Sequence, residues 1–216
     1  MSDDRPLVVL LHDEGRGPEQ WRDFVPLLES RFRTIAPALA TGDGDGGLAR
    51  VREAIGDERT AVIGHGAGGA LAQALATAGA VDAMVLLDAP IAEDVDRRAL
   101  AAIDVPVLLL WGEDDREVPV AVAEELNDTI PTSTLGVLPG CGHDLTDEAA
   151  ATIAPMILEY LRARYLGLSH AEVHAGAGGH THDGVVRIQL ERRPPWVDLA
   201  DDERDDWFVD DDEEDG

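Results

Sequence analysis

Short runs of apolar residues alternate along this chain with longer segments in which Ala and Leu are mixed with acidic residues. Runs that contain almost no polar residue are typical of parallel strands buried on both faces. They predict six strands, at residues 7–11, 34–36, 60–63, 83–87, 107–111 and 134–138. The remaining segments predict helices at residues 18–30, 48–55, 67–79, 94–103, 121–127 and 147–166.

Strands that alternate with helices in this order predict an α/β fold with a mostly parallel, doubly wound sheet of about six strands and helices on both faces. Residues 1–166 hold the whole pattern and are expected to form one core. A Gly- and Asp-rich stretch at residues 41–47 is expected to be a flexible surface loop. Its acidic residues lack the spacing of an EF-hand calcium loop.

The chain changes character after residue 166. Residues 167–195 form a His- and Gly-rich extension with one possible strand, in the alternating run 185–191. Residues 196–216 carry 12 acidic residues and one Arg, so this tail is expected to be disordered. Four histidines of the extension are weak candidates for a metal site, but their flexible spacer argues against one; they are His170, His174, His180 and His182.

The charge of the chain is strongly one-sided. Its formal net charge is -27 and none of its 17 basic residues is Lys, a combination that predicts a protein of a high-salt cytoplasm, where salt screens the carboxylates. A surface of this sign would repel nucleic acid. A single Cys excludes an intrachain disulfide, and neither a signal peptide nor a membrane-spanning run is visible, so we expect no membrane partner.

The most informative motif is Gly64-His65-Gly66-Ala67-Gly68, which lies between a predicted strand and a predicted helix. A sharp strand-to-helix turn needs small residues two before and two after its centre, because the backbone approaches itself closely there. Gly64 and Gly68 meet that requirement. Gly66 occupies the centre, where an enzyme that uses such an elbow carries its nucleophile.

With two further motifs, residues 5–166 resemble the α/β-hydrolase family. Residues 9–21 look like its first strand and oxyanion loop, and residues 111–119 and 139–144 look like its acid and histidine loops. The resemblance assigns the catalytic acid to Asp115, the catalytic histidine to His143 and the nucleophile position to Gly66. It also implies that the cap domain is absent, because residues 89–106 leave room for about one short helix.

The resemblance implies an oxyanion hole formed by the backbone N–H groups of Glu14 and Ala67. Asp13 replaces the glycine usual in that loop, so two carboxylates adjoin a pocket meant to stabilise an anion, which is unfavourable for acyl transfer. Cys141 is the nearest other nucleophile, but a lone cysteine among small loop residues is more often a packing residue. His65 is expected to pack beneath the turn.

These observations leave the function open between three hypotheses. The first is a non-catalytic module that binds a small molecule or a protein, because the nucleophile is missing. The second is an enzyme that uses His143 and Asp115 as a general-base dyad without a covalent intermediate. The third is a hydrolase of unknown substrate, as the family implies. No cofactor is predicted under any of them, and the sequence does not predict the oligomeric state.

Overall fold

The computed structural model describes residues 4–40, 44–165 and 185–187. Its seven strands form one parallel sheet with the order β2-β1-β3-β4-β5-β6-β7. They are β1 Leu7–Leu11, β2 Arg33–Ile35, β3 Thr60–His65, β4 Ala83–Leu87, β5 Val107–Gly112, β6 Ser133–Leu138 and β7 Val185–Arg187. The sheet confirms the predicted fold class, and β7 lies inside the alternating run of the extension.

Helices cover both faces of this sheet. They are a 3₁₀ turn at Pro18–Trp21, α1 Val25–Leu28, α2 Gly44–Ile55, α3 Ala67–Thr77, α4 Arg97–Ala101, α5 Val120–Thr129, α6 Leu145–Glu148 and α7 Ala150–Tyr165. Because side chains alternate along each strand, the sheet divides the buried residues into two clusters. One packs against the 3₁₀ turn, α1 and α7, and the other against α2 to α5.

The connections of the sheet determine where a site can form. From β1 the chain moves outward to β2, then returns to the other side of β1 to form β3. The strand order therefore reverses between β1 and β3, and the loops at the carboxyl ends of these two strands open a crevice. The loops after β5 and β6 leave the sheet at the same edge. Each of these four loops carries a residue that was predicted from the sequence to belong to the site.

Several predicted helix boundaries are wrong. Residues 18–30 form two short helices, the 3₁₀ turn and α1, and Pro26 lies in the first turn of α1, where its missing N–H and fixed φ suit the start of a helix. Helix α4 begins at Arg97 and not at residue 94, because the Asp96 side chain accepts from the Arg98 N–H and caps the helix there. The helix predicted at 147–166 is two helices, which meet at Ala149.

The loop predicted at residues 41–47 is also corrected, because residues 44–47 form the first turn of α2. The apolar side chains of Leu48, Val51 and Ile55 pack against the core, and this packing extends a helix into a sequence of low propensity. Between β4 and β5 the chain forms only the short α4, in agreement with the expected absence of a cap. No helix among the described residues has the length and apolar character needed to cross a membrane.

Candidate active site

The turn between β3 and α3 has the geometry of a nucleophile elbow. Gly66 lies at its centre with φ 51° and ψ -122°, a conformation that costs side-chain-bearing residues strain. A Cβ at Gly64 would lie 2.5 Å from the Gly68 carbonyl oxygen, and one at Gly68 would lie 2.2 Å from the Leu11 carbonyl oxygen. The small residues predicted at both flanks are therefore required by close backbone approach.

The residues predicted as acid and histidine are in contact. The His143 Nδ1–H donates to Asp115 Oδ2 at 2.9 Å. The other carboxylate oxygen of Asp115 accepts from the backbone N–H groups of Glu117 and Val118, at 2.8 and 2.9 Å. Asp115 is thus held from both sides, and it fixes the orientation of the imidazole as a catalytic acid does in a triad.

The predicted oxyanion hole is filled by a side chain of the protein itself. The Ala67 N–H donates to Asp13 Oδ1 at 2.7 Å, and the Glu14 N–H also interacts with the Asp13 carboxylate. Asp13 Oδ2 lies 3.4 Å from His143 Nε2. A Cβ built on Gly66 would lie 2.0 Å from Asp13 Oδ1, so the carboxylate occupies the space in which the side chain of a nucleophile would begin.

Asp13 and His143 form an ion pair at neutral pH. Burial opposes the charge of Asp13, but hydrogen bonding with His143, Ala67 and Glu14 outweighs it and lowers the pKa of Asp13 to about 2. Conversely, the hydrogen bond with Asp13 contributes most to raising the pKa of His143 to about 9. Burial of His143 opposes this rise, and Asp115 adds to it. The imidazole is therefore a cation between two carboxylates.

Buried polar residues hold these loops together. The Gln20 side chain accepts from the Asp13 N–H at 3.0 Å and donates to His65 Nδ1 at 2.8 Å and to Thr146 Oγ1 at 3.1 Å. The His65 Nε2–H donates to the His143 carbonyl oxygen at 2.7 Å. His65 lies under the turn, as expected, and burial lowers its pKa, which keeps the ring neutral. Gln20 was not identified from the sequence, and no signal there separates it from a surface glutamine.

Asp88, at the end of β4, is a second residue that the sequence did not reveal. It is completely buried with φ 46°, its Oδ1 accepts from the Gly112 N–H at 2.9 Å, and the Leu145 N–H also interacts with the carboxylate. Burial raises the pKa of Asp88 to about 9, so the group is a neutral carboxylic acid at pH 7. It lies beneath the site, with Oδ2 3.9 Å from His65 Nε2.

Cys141, the other candidate nucleophile, is not exposed at the site. Its side chain is buried in the core cluster next to α7, and burial is the main cause that raises the pKa of its thiol. A buried thiol that stays protonated is a poor nucleophile. The weak metal candidates His170, His174, His180 and His182 lie outside the described residues. Within the described part of the chain, no group of three or more His, Cys, Asp or Glu side chains is arranged to hold a metal ion.

We expect Gly66→Ala to lower the free energy of unfolding by about 2 kcal/mol or more, from backbone strain and from the loss of charged hydrogen bonds when Asp13 is displaced. Urea denaturation in molar KCl measures it. The same substitution in an Asp13→Gly background should cost less, because only the strain remains. Equal costs in the two backgrounds would show that Asp13 does not occupy this space.

Comparison with known proteins shows similarity to hydrolases. A profile described as the alpha/beta hydrolase family matches residues 8–104, and a second, described as a TAP-like protein, matches residues 64–166. A 2-hydroxy-6-oxononadienedioate/2-hydroxy-6-oxononatrienedioate hydrolase from Burkholderia vietnamiensis is 41% identical over 63 residues, which are 29% of this chain and 22% of that protein. The uncharacterized hydrolase YugF from Bacillus subtilis is 32% identical over 69 residues, 32% of this chain and 25% of that protein. The matched segment thus spans only about a quarter of these relatives.

Solved structures agree on the fold. A predicted CIB-like hydrolase from Thermoplasma acidophilum aligns with a TM-score of 0.65 and 21% identity, over 75% of this chain and 88% of that one. The meta-cleavage product hydrolase CumD from Pseudomonas fluorescens, as a serine-to-alanine mutant complexed with acetates, aligns with a TM-score of 0.66 and 17% identity, over 74% and 91%. With the sheet order, the elbow and the order of the three loops, these matches show that the chain has the α/β-hydrolase fold, and it is similar to the alpha/beta hydrolase family over residues 8–104.

Proposed function

We propose that this protein does not perform serine-type acyl transfer and that it acts as a binding protein for a small molecule or another protein. The observation that carries this proposal is the position of Asp13. Its carboxylate fills the oxyanion hole and the space in front of Gly66, so an ester carbonyl finds neither an attacking atom nor free N–H donors. In enzymes of this type, removal of one oxyanion donor alone lowers kcat by about 100- to 1000-fold.

The charge of His143 supports the same proposal. A general base must be unprotonated in the resting state, whereas the pKa of His143 is raised to about 9, chiefly by Asp13. At neutral pH the imidazolium has no capacity to accept a proton. The residue is therefore better described as the cationic partner of two carboxylates than as a base.

The second candidate is an enzyme in which His143 and Asp115 act on water or on an acidic substrate proton. The intact contact between them, at 2.9 Å, favours it, and so do the names of the curated relatives, which are hydrolases. A dyad of this kind requires the neutral imidazole. Its activity would therefore increase with pH up to and beyond about 9, a profile that distinguishes it from the first candidate.

A p-nitrophenyl ester assay in molar KCl, from pH 6 to 10, tests the proposal. We expect the purified protein to hydrolyse the ester no faster than a His143→Gln variant at every pH, without a burst of product. Cys141→Ala is the control for hydrolysis by the thiol. A His143-dependent rate that rises towards high pH would favour the dyad enzyme, and a burst that persists without Cys141 would contradict both candidates.

We further propose that the protein works in a high-salt cytoplasm, because a net charge of -27 with no Lys is suited to strong screening. The melting temperature should then rise by about 10 °C from about 0.1 M to about 1 M KCl, as the Debye length falls from about 10 Å to about 3 Å. Thermal denaturation by circular dichroism measures it. At about pH 4, where many carboxylates bind protons, the same increase in KCl should have a smaller effect. A melting temperature independent of salt at pH 7 would contradict this proposal.

A further inference from the structure

Three hydrogen-bond donors converge on one carboxylate at the carboxyl edge of the sheet. They are the backbone N–H of Ala67, which begins the eleven-residue helix α3, the backbone N–H of Glu14, and the Nε2 of His143. We infer that these donors form a binding site for the carboxylate group of a small ligand, and that Asp13 is the tethered occupant of this site. The inference deepens the proposed function, on which it rests, by naming the class of ligand.

The chemistry of the donors selects a carboxylate. Two backbone N–H groups, one of them at the N-terminus of α3, favour an anion, and an imidazolium supplies the opposite charge. Oδ1 of Asp13 accepts from Ala67 at 2.7 Å, while Oδ2 faces His143 at 3.4 Å. The site therefore contacts both oxygens of one planar group.

The donors are held in place without the Asp13 carboxylate. Asp115 orients the ring of His143 through Nδ1, and His65 binds the carbonyl oxygen of His143. Gln20 anchors the oxyanion loop through the backbone N–H of Asp13, not through its side chain. Removing the carboxylate should therefore leave a formed site, and preorganised donors bind an anion without the cost of rearrangement.

The absence of a side chain at Gly66 provides the room for this group. A Cβ there would lie between 2.0 and 2.8 Å from the three carboxyl atoms of Asp13. The site is also reachable, because the side chains of Asp13 and His143 are 19% and 14% exposed. A ligand carboxylate can enter from solvent when the Asp13 side chain rotates outward.

Because Asp13 is part of the chain, its carboxylate competes with an external ligand for the site. A ligand binds only to the fraction of molecules in which Asp13 has left the site, so its apparent affinity is reduced by that fraction. The displaced carboxylate stays nearby and repels a ligand of the same charge. Deleting the Asp13 side chain should remove both effects.

Acetate is the probe of choice, because it is the fragment that Asp13→Gly deletes. We expect acetate to raise the melting temperature of Asp13→Gly saturably at about pH 6, below the ordinary pKa of histidine, so that His143 remains cationic without Asp13. At constant ionic strength in KCl, the Kd should be at least tenfold lower than for the parent. Acetamide, which has the same shape without the charge, should have no effect. Asp13→Asn should not respond to acetate, because its amide oxygen can still accept from Ala67 and Glu14.

The control Asp13→Gly/Gly66→Ala carries a Cβ that takes up part of the site and should bind acetate more weakly than Asp13→Gly. Absence of saturable binding to Asp13→Gly, or equal binding to this control, would overturn the inference. If Asp13→Gly does not fold, the test uses NMR of the unmutated protein. Acetate must then shift the amide resonances of Glu14 and Ala67 saturably, and a lack of shift overturns the inference. Either failure leaves the ester assay unaffected, so the proposed function is judged separately.

Discussion

Replacing Asp13 by Gly and Gly66 by Ser together is expected to raise kcat/KM for ester hydrolysis by about a thousandfold over the parent, while either substitution alone produces little. The single variant Gly66→Ser places a hydroxyl beside a filled oxyanion hole and a protonated His143. The single variant Asp13→Gly opens the hole but provides no nucleophile. Activity therefore requires both changes.

The reason for this dependence is that Asp13 blocks two functions at once. It occupies the Ala67 and Glu14 N–H groups, and it is the main cause of the raised pKa of His143. Without it, the pKa of His143 should fall, so that the neutral imidazole can accept the proton of Ser at position 66. Asp115 already holds the ring by its other nitrogen.

The measurement is hydrolysis of p-nitrophenyl acetate in molar KCl, with the burst amplitude as a count of acylated protein. The matched control is Asp13→Gly/Gly66→Ala, which has the same backbone and cavity change but no hydroxyl. Adding His143→Gln to the double variant should abolish the gain. If the fold-changes in kcat/KM of the two single variants multiplied to the fold-change of the double variant, the two positions would act independently and the predicted coupling would be wrong.

Stability should fall as the pH rises from about 6.5 to about 9. His143 has a pKa raised from 6.5 to about 9 in the folded protein, so the folded state binds its proton more tightly than the unfolded state. Its contribution is fully present below pH 6.5 and is lost as the pH passes through 9, with an upper bound of about 3 kcal/mol. Asp88 acts in the same direction, because its pKa is raised from 3.8 to about 9 and the folded state retains its proton.

Urea denaturation at constant KCl from pH 6 to 9.5 measures this loss. Asp13→Asn should flatten the dependence by lowering the pKa of His143, and Asp88→Asn should remove the part that comes from the buried acid. On the acidic side the opposite sign applies to Asp13. Its pKa is lowered to about 2, so its contribution is present above pH 3.8 and disappears as the pH falls towards 2. A parent and an Asp13→Asn variant with the same alkaline slope would contradict the assigned role of Asp13.

The sequence was sufficient to predict the parallel sheet and the contact between Asp115 and His143. Strands β1 and β4 begin and end where the apolar runs do, because strands buried on both faces exclude polar residues. Asp115 and His143 follow β5 and β6, which are neighbours in a parallel sheet, and their loops therefore meet. The ends of the helices were harder to predict than the strands. A single side-chain cap at Asp96, or a proline at residue 26, determines where a helix begins within a longer stretch of helical pattern.

The position of Asp13 could not be read from the sequence. Its carboxylate was expected to lie beside the oxyanion hole and disturb it. Instead the side chain turns inward and accepts the hydrogen bond of the Ala67 N–H. That outcome depends on the empty space at Gly66, which is distant in sequence and near only in the fold. The raised pKa of Asp88 has the same origin, because burial by loops from three strands is a property of the assembled sheet.

The overlap between the Asp13 carboxylate and the space in front of Gly66 restricts the mutational paths by which this chain could acquire a catalytic serine. A serine that appears first at position 66 meets an occupied space and lowers stability without creating activity. Loss of Asp13 first removes an ion pair, again without activity. In either order the first substitution gives a protein that is less stable than the present one and still inactive, so selection for ester hydrolysis would act only on the two substitutions together.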